Sequence, residues 1–194
     1  VDTVKNNPKC VLGFATGSSP LGVYKKIIEA YNNHEVSFKD VVSFNLDEYV
    51  GLDGSHNQSY RYFMNTNLFD HIDIKKENTN VPCGTGDYEK LAKEYDKKIA
   101  SLGGIDLQIL GIGSDGHIAF NEPGTPFDSL THVATLAKST IVDNSRFFNS
   151  IDEVPTKAVT MGLASIMNAK KIVLIATGYN KADAIKGLIK GEIT

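Results

Sequence analysis

Three apolar runs, at residues 10–15, 105–110 and 171–177, constrain this chain more than any other feature. Each leads into glycine: Gly17 after the first, Gly111 and Gly113 after the second, Gly178 after the third. A short apolar run ending in a turn signal reads as a buried strand. Strands covered on both faces belong to parallel sheets with helices above and below. Helical spacing surrounds them as that arrangement requires. Leu21, Tyr24, Ile27, Ile28 and Tyr31 follow the first run, and Ala184, Ile185, Leu188 and Ile189 follow the third. Tyr88, Leu91, Ala92, Tyr95, Ile99 and Leu102 form a stripe before the second, stopped by Gly103-Gly104. The alternation predicts an α/β fold, a three-layer αβα sandwich around a Rossmann-like, largely parallel sheet.

The intervening segments read more weakly. Residues 41–45 form another strand, with Asp47 and Glu48 in the turn at its end. Tyr60, Phe63, Met64 and Leu68 suggest a short amphipathic helix beginning between Ser55 and Ser59. Residues 131–140 alternate as an extended segment, 144–148 begin a turn or short helix, 158–161 form a short strand and 162–169 a helix. No repeat or linker divides the chain, so residues 1–194 read as a single α/β domain. It opens on Val1 and ends directly after a helical stretch, so further elements are expected beyond both ends.

Composition narrows the partners. A net charge of −3 gives no basic bias toward nucleic acid or an anionic membrane. No apolar run approaches the roughly 20 residues that span a bilayer, and no signal peptide is visible. Cys10 and Cys83 lack metal-ligand spacing; Cys10 opens a strand as a buried thiol, which suits a reducing cytoplasm.

The chemistry concentrates at residues 110–123, Leu-Gly-Ile-Gly-Ser-Asp-Gly-His-Ile-Ala-Phe-Asn-Glu-Pro. An imidazole, His117, stands between two acids, Asp115 and Glu122, at the carboxyl end of a strand. Carboxylates orient an imidazole and raise its basicity, and that end of the strands is where open α/β sheets bind ligands. The plainer explanation is a hydrogen-bonded core histidine. Gly111, Gly113 and Gly116 match the dinucleotide pattern, but that pattern must open a helix, and Pro123 and Pro126 forbid one here. A nicotinamide site is therefore rejected.

Thr16-Gly17-Ser18-Ser19-Pro20 joins strand to helix, with Pro20 in the first turn and Ser18 or Ser19 as the cap. Such a loop offers backbone N–H groups, hydroxyls and a helix dipole to a phosphate; equally, it is a capped helix with no ligand. Asp47 and Glu48 are a solvated turn or part of a site facing that loop.

Taken together, residues 16–20, Phe44-Asn45-Leu46-Asp47-Glu48-Tyr49-Val50-Gly51-Leu52, residues 113–123, Asn144-Ser145-Arg146-Phe147-Phe148 and Gly178-Tyr179-Asn180-Lys181-Ala182 resemble the glucosamine-6-phosphate deaminases, of the glucosamine/galactosamine-6-phosphate isomerase family. The resemblance covers roughly residues 8 to 191. It implies conversion of glucosamine 6-phosphate and water to fructose 6-phosphate and ammonia in amino-sugar catabolism, with no metal and no organic cofactor. It casts Asp47 as the base moving a proton between C2 and C1, His117 as the group that opens the ring, and Asp115 and Glu122 as its carboxylate partners. It places Thr16, Gly17, Ser18, Ser19, Gly113, Arg146 and Lys181 against the substrate, the two cations on its phosphate, and gives Glu48 either a substrate contact or only the orienting of its loop.

Allosteric members of the family bind an N-acetylated sugar phosphate through basic residues soon after the Asn-Glu-Pro motif. Residues 130–135 hold no Arg or Lys. A non-allosteric enzyme is therefore expected, monomeric or homo-oligomeric, with a small sugar phosphate as its partner. Two other readings compete. A 6-phosphogluconolactonase shares the fold and the Asp-Gly-His turn but hydrolyses a lactone. A non-catalytic sugar-phosphate sensor keeps the anion grip without needing the acid–base set.

Overall fold

The computed structural model describes residues 1–191. In chain order the main elements are α1 (Asp2–Asn6), β1 (Val11–Phe14), α2 (Leu21–Asn32), β2 (Val42–Asn45), β3 (Asp47–Tyr49), α3 (Tyr60–Asn67), β4 (Thr79–Asn80) and α4 (Tyr88–Ser101). They continue with β5 (Leu107–Leu110), β6 (His132–Thr135), α5 (Lys138–Asn144), β7 (Lys157–Thr160), α6 (Leu163–Met167), β8 (Ile172–Leu174) and α7 (Ala182–Lys190).

The apolar runs lie side by side. Five parallel strands form one sheet in the order β4-β2-β1-β5-β8. Side-chain alternation along β1 divides the core. Leu12 and Phe14 pack with Tyr24 and Ile27 of α2 and Met64 of α3. Val11 and the following Ala15 pack with Tyr95 and Ile99 of α4 and Ile166 of α6. Helices thus cover both faces, giving the expected three-layer α/β sandwich. Gly103 and Gly104, at φ +81° and +85°, end α4, a backbone conformation that costs glycine little.

The structure departs from the sequence reading in several places. Residues 131–140 are extended only over β6, and α5 begins at Lys138 within them. Asp47 and Glu48 are not in a solvated turn. The chain from residue 42 to 49 stays extended and changes sheets at Leu46, so β3 pairs antiparallel with β7 in a second sheet of order β3-β7-β6. Both acids are buried there, at 6% and 3% exposure. Neither Ser18 nor Ser19 caps α2. The N-cap is Pro20, with no side-chain bond, and Leu21 N instead donates to Ser18 O at 3.4 Å. The third apolar run is strand only over β8, with Val173 46% exposed, because among the described residues β8 is paired on one side, by β5. Finally, β4 has too few residues to leave a periodic signal.

Candidate active site

The sheet topology brings the carboxyl ends of β1, β2 and β5 together. A cleft of about 260 Å³ opens there. One wall is the loop after β1, with Thr16, Gly17, Ser18 and Ser19. Gly17 sits at φ +83°, which lets the turn close tightly. The serine hydroxyls have no capping bond to make, as Pro20 occupies the cap. Arg146, in the 3-10 turn Ser145–Phe147, and Lys181, in the turn Tyr179–Lys181, line the same cleft. The Arg146 guanidinium lies 4.7 Å from the Phe147 ring centroid, a cation–π contact that steadies it. Two cations, glycine backbone and hydroxyls make this the end of the cleft suited to an anion.

Asp47 and His117 line the same cleft. His117 belongs to the turn after β5. Its Nδ1 lies 2.6 Å from Asp115 Oδ1 and 3.9 Å from Glu122 Oε2. Facing an ionised carboxylate at hydrogen-bond distance, Nδ1 is the donor, which leaves Nε2 to accept a proton. Burial pulls the Asp115 carboxyl up, but the His117 backbone N–H and the imidazole charge outweigh it and hold the group below its ordinary range. Glu122 is fixed independently: its Oε1 accepts the Thr140 hydroxyl at 3.0 Å. Gly113 makes room for the pair, since a Cβ there would lie 2.4 Å from His117 Nδ1 and 2.7 Å from Asp115 Oδ1.

The small sheet joins the two halves of the site. Thr160 of β7 stands opposite Asp47 of β3, and its hydroxyl accepts Phe120 N at 3.2 Å. Asn121 holds the turn from within, donating from Nδ2 to Ile118 O at 3.0 Å and to Met161 O at 2.8 Å. Between them Ala119 is held at φ +55°, a conformation rare for a side-chain-bearing residue.

Desolvation and the neighbouring Glu48 push the Asp47 carboxyl up to about 8. Among the described residues no hydrogen bond holds its oxygens. Glu48 is placed differently. Its carboxylate accepts Tyr49 N, Tyr60 N and Arg61 N, each at 2.9 Å, and it is not among the residues lining the cleft. Asp115 and Glu122 also lie outside that lining and reach it through His117. Tyr60, Phe120, Thr140 and Asn144 line the cleft without having been singled out. Phe120 sits inside the 113–123 motif and Asn144 beside Arg146, so both were within reach of the sequence. Tyr60 and Thr140 carried no local signal.

Asp115, His117 and Glu122 offer donor atoms within 4.8 Å of one another, a spacing that could hold a metal ion. Here Asp115 bonds the imidazole and Glu122 takes the Thr140 hydroxyl, so the donors serve one another as a proton-handling set.

A parallel sheet whose carboxyl ends carry a glycine-serine loop beside two cations, a buried carboxyl and a carboxylate-bound imidazole has the groups of an α/β enzyme of acid–base type. The chain belongs to the glucosamine-6-phosphate isomerases/6-phosphogluconolactonase family, whose model matches residues 1–193. It is 56% identical over 194 residues to a protein of Clostridium perfringens named glucosamine-6-phosphate deaminase, covering 100% of this chain and 80% of that one. A deaminase of the same name from Thermoanaerobacter pseudethanolicus is 57% identical over 192 residues, covering 98% and 76%. The solved structure of a monomeric glucosamine-6-phosphate deaminase superposes with TM-score 0.96 at 45% identity, covering 100% of this chain and 80% of that one. A 6-phosphogluconolactonase of Thermotoga maritima shares the fold, with TM-score 0.78 at 22% identity over 98% of this chain and 80% of that one.

Proposed function

We propose that this chain converts glucosamine 6-phosphate and water to fructose 6-phosphate and ammonia. The observation that carries this is one cleft lined by the Gly17–Ser19 loop, Asp47 and His117. The phosphate lies on the backbone and hydroxyls of residues 16–19, with Arg146 giving two-point contact and Lys181 a point charge. His117 Nε2 takes the O1 proton and returns one to O5, opening the ring. Asp115 holds the imidazole in that tautomer and, with Glu122, stabilises the charge it gains. Asp47 then removes the C2 proton and returns it at C1, while O1 gains a proton and the C2 amine gives one up, so that the C1 aldehyde becomes an alcohol and C2 an imine. The resulting C2 imine adds water and expels ammonia. A carboxyl poised near 8 suits this shuttle, because at neutral to mildly alkaline pH it both gives and takes a proton.

The enzyme acts without N-acetylglucosamine 6-phosphate allostery and as a monomer. Residues 130–135 hold no Arg or Lys to receive that effector's phosphate, and the 45% identical deaminase is described as monomeric. Two free cysteines, Cys10 and Cys83, support a reducing, cytoplasmic setting. No helix among the described residues is long and apolar enough to cross a membrane.

The test is ammonia release from glucosamine 6-phosphate, run beside loss of 6-phosphogluconolactone. Ammonia without lactone loss is expected. Lactone loss alone would move the chain to hydrolysis, and tight sugar-phosphate binding without turnover would make it a sensor.

A further inference from the structure

We propose that Glu48 is a positioning residue: its carboxylate clamps the start of α3 to β3, and so sets Asp47 and Tyr60 in fixed relation across the cleft. The inference rests on the reading of Asp47 as the C2–C1 base.

Successive residues of a strand point to opposite faces, so Glu48 faces away from the cleft that its neighbour Asp47 lines. It meets the amino end of α3. Its Oε1 accepts Tyr49 N and Tyr60 N and its Oε2 accepts Arg61 N, all at 2.9 Å. Ser59, the N-cap, takes the next donor, Tyr62 N, at 3.0 Å. That cap leaves the Tyr60 and Arg61 N–H groups without acceptors, and Glu48 supplies both, although a carboxylate at 3% exposure is costly to desolvate. That cost is met by a contact joining two pieces of the site. The Tyr60 ring stacks on Phe120 with centroids 6.1 Å apart and planes 9° apart, and both rings line the cleft. One carboxylate therefore holds the strand bearing Asp47 to the helix bearing Tyr60, and through Phe120 to the His117 turn.

The clamp also carries charge. The ionisable groups around Asp47 are Glu48 and Tyr49 on its own strand, Tyr60 from α3 and Tyr95 from α4, with His117, Arg146 and Lys181 across the cleft. Three N–H donors favour the ionised form of Glu48 against the burial that raises its carboxyl overall, and Glu48 in turn raises Asp47. Burial raises both, and the backbone bonds and Arg61 oppose the rise at Glu48.

Glu48→Gln and Glu48→Asp test this. The glutamine keeps one acceptor for Tyr49 and Tyr60 but loses the charge and the bond to Arg61. The aspartate keeps the charge but falls short of the helix. Both are expected to lose about 10- to 100-fold in kcat with KM within about threefold of wild type, as mispositioning does. In Glu48→Gln alone, the acid limb of the kcat/KM profile should move to lower pH. A carbon-13 titration of the Asp47 carboxyl should show the same fall without relying on turnover. A tenfold rise in KM at unchanged kcat would make Glu48 a substrate contact and overturn the proposal; so would wild-type kcat in Glu48→Asp, or an unmoved titration in Glu48→Gln. Absence of ammonia from the wild-type enzyme would instead reject the assigned reaction, leaving the titration to judge the clamp.

Discussion

At the scale of single residues, the Asp47 carboxyl is the most consequential group. It is 6% exposed and pushed up to about 8, first by burial and then by Glu48. In the unfolded chain it titrates near 3.9. Between those values the folded protein holds a proton that the unfolded chain has released, so stability falls as pH rises through the window and levels off above about 8. Asn has the same size and cannot ionise. Asp47→Asn should therefore abolish turnover while a substrate analogue still binds, and its Tm advantage over wild type should grow by about 8–16 °C between pH 5 and pH 8.5. A Tm difference independent of pH would contradict the buried-carboxyl account, and near-normal turnover would remove Asp47 from its role. Gly113 is the steric counterpart. Its added Cβ would fall 2.4 Å from His117 Nδ1 and Cε1. Gly113→Ala should cost about 100-fold in kcat/KM by turning the imidazole away from Asp115, with the circular dichroism spectrum unchanged; activity within twofold of wild type would show that the turn absorbs a methyl group.

At the scale of elements, the division of labour follows the two sheets. The anion end hangs on the five-stranded sheet and on two short turns that follow helices or strands. Lys181 has no side-chain bond among the described residues that removing it would break, so Lys181→Ala should raise KM for the sugar phosphate about tenfold with kcat little changed. An unchanged KM would take Lys181 out of phosphate contact. The five-stranded sheet was legible because its strands are covered by helices and read as unbroken apolar runs. The small sheet was legible only in part: β6 and β7 fall where residues 131–140 and 158–161 read as extended, but β3 did not show. β3 carries two acids and reads as a turn, because burial of Asp47 and Glu48 depends on β7, more than a hundred residues away. β6 is only half-buried and gives weak alternation. The 113–123 motif announced its acid–base residues through local chemistry. The packing of Tyr60 against Phe120 is set by tertiary contacts, to which a one-dimensional pattern is blind.

At the scale of the molecule, the question is what keeps the small sheet in register with the large one, since Asp47 is on one and His117 follows a strand of the other. Leu46 joins them covalently, and Met161 N donates to Leu46 O at 2.7 Å on the far side. A second tie runs from α4, which packs on the large sheet. Asp96 Oδ2 accepts Thr131 N at 2.7 Å, just before β6, and its Oδ1 accepts the Ser165 hydroxyl at 2.6 Å on α6, just after β7. One carboxylate thus holds both strands of the antiparallel pair β6–β7 to the helical layer, at the end where His132 stands opposite Thr160. Asp96→Ala would leave the Thr131 N–H and the buried Ser165 hydroxyl without acceptors, a loss of about 1–3 kcal/mol and a Tm lower by about 2–10 °C. Stability alone does not distinguish a tie from an ordinary buried bond. If Asp96 keeps the sheets in register, kcat should also fall several-fold well below Tm, because the Thr160 hydroxyl that holds Phe120 N moves with β7. Asp96→Asn, which retains one acceptor but not two, should fall between. A variant that melts earlier yet turns over normally at low temperature would show that the Leu46 junction alone suffices to align Asp47 with His117.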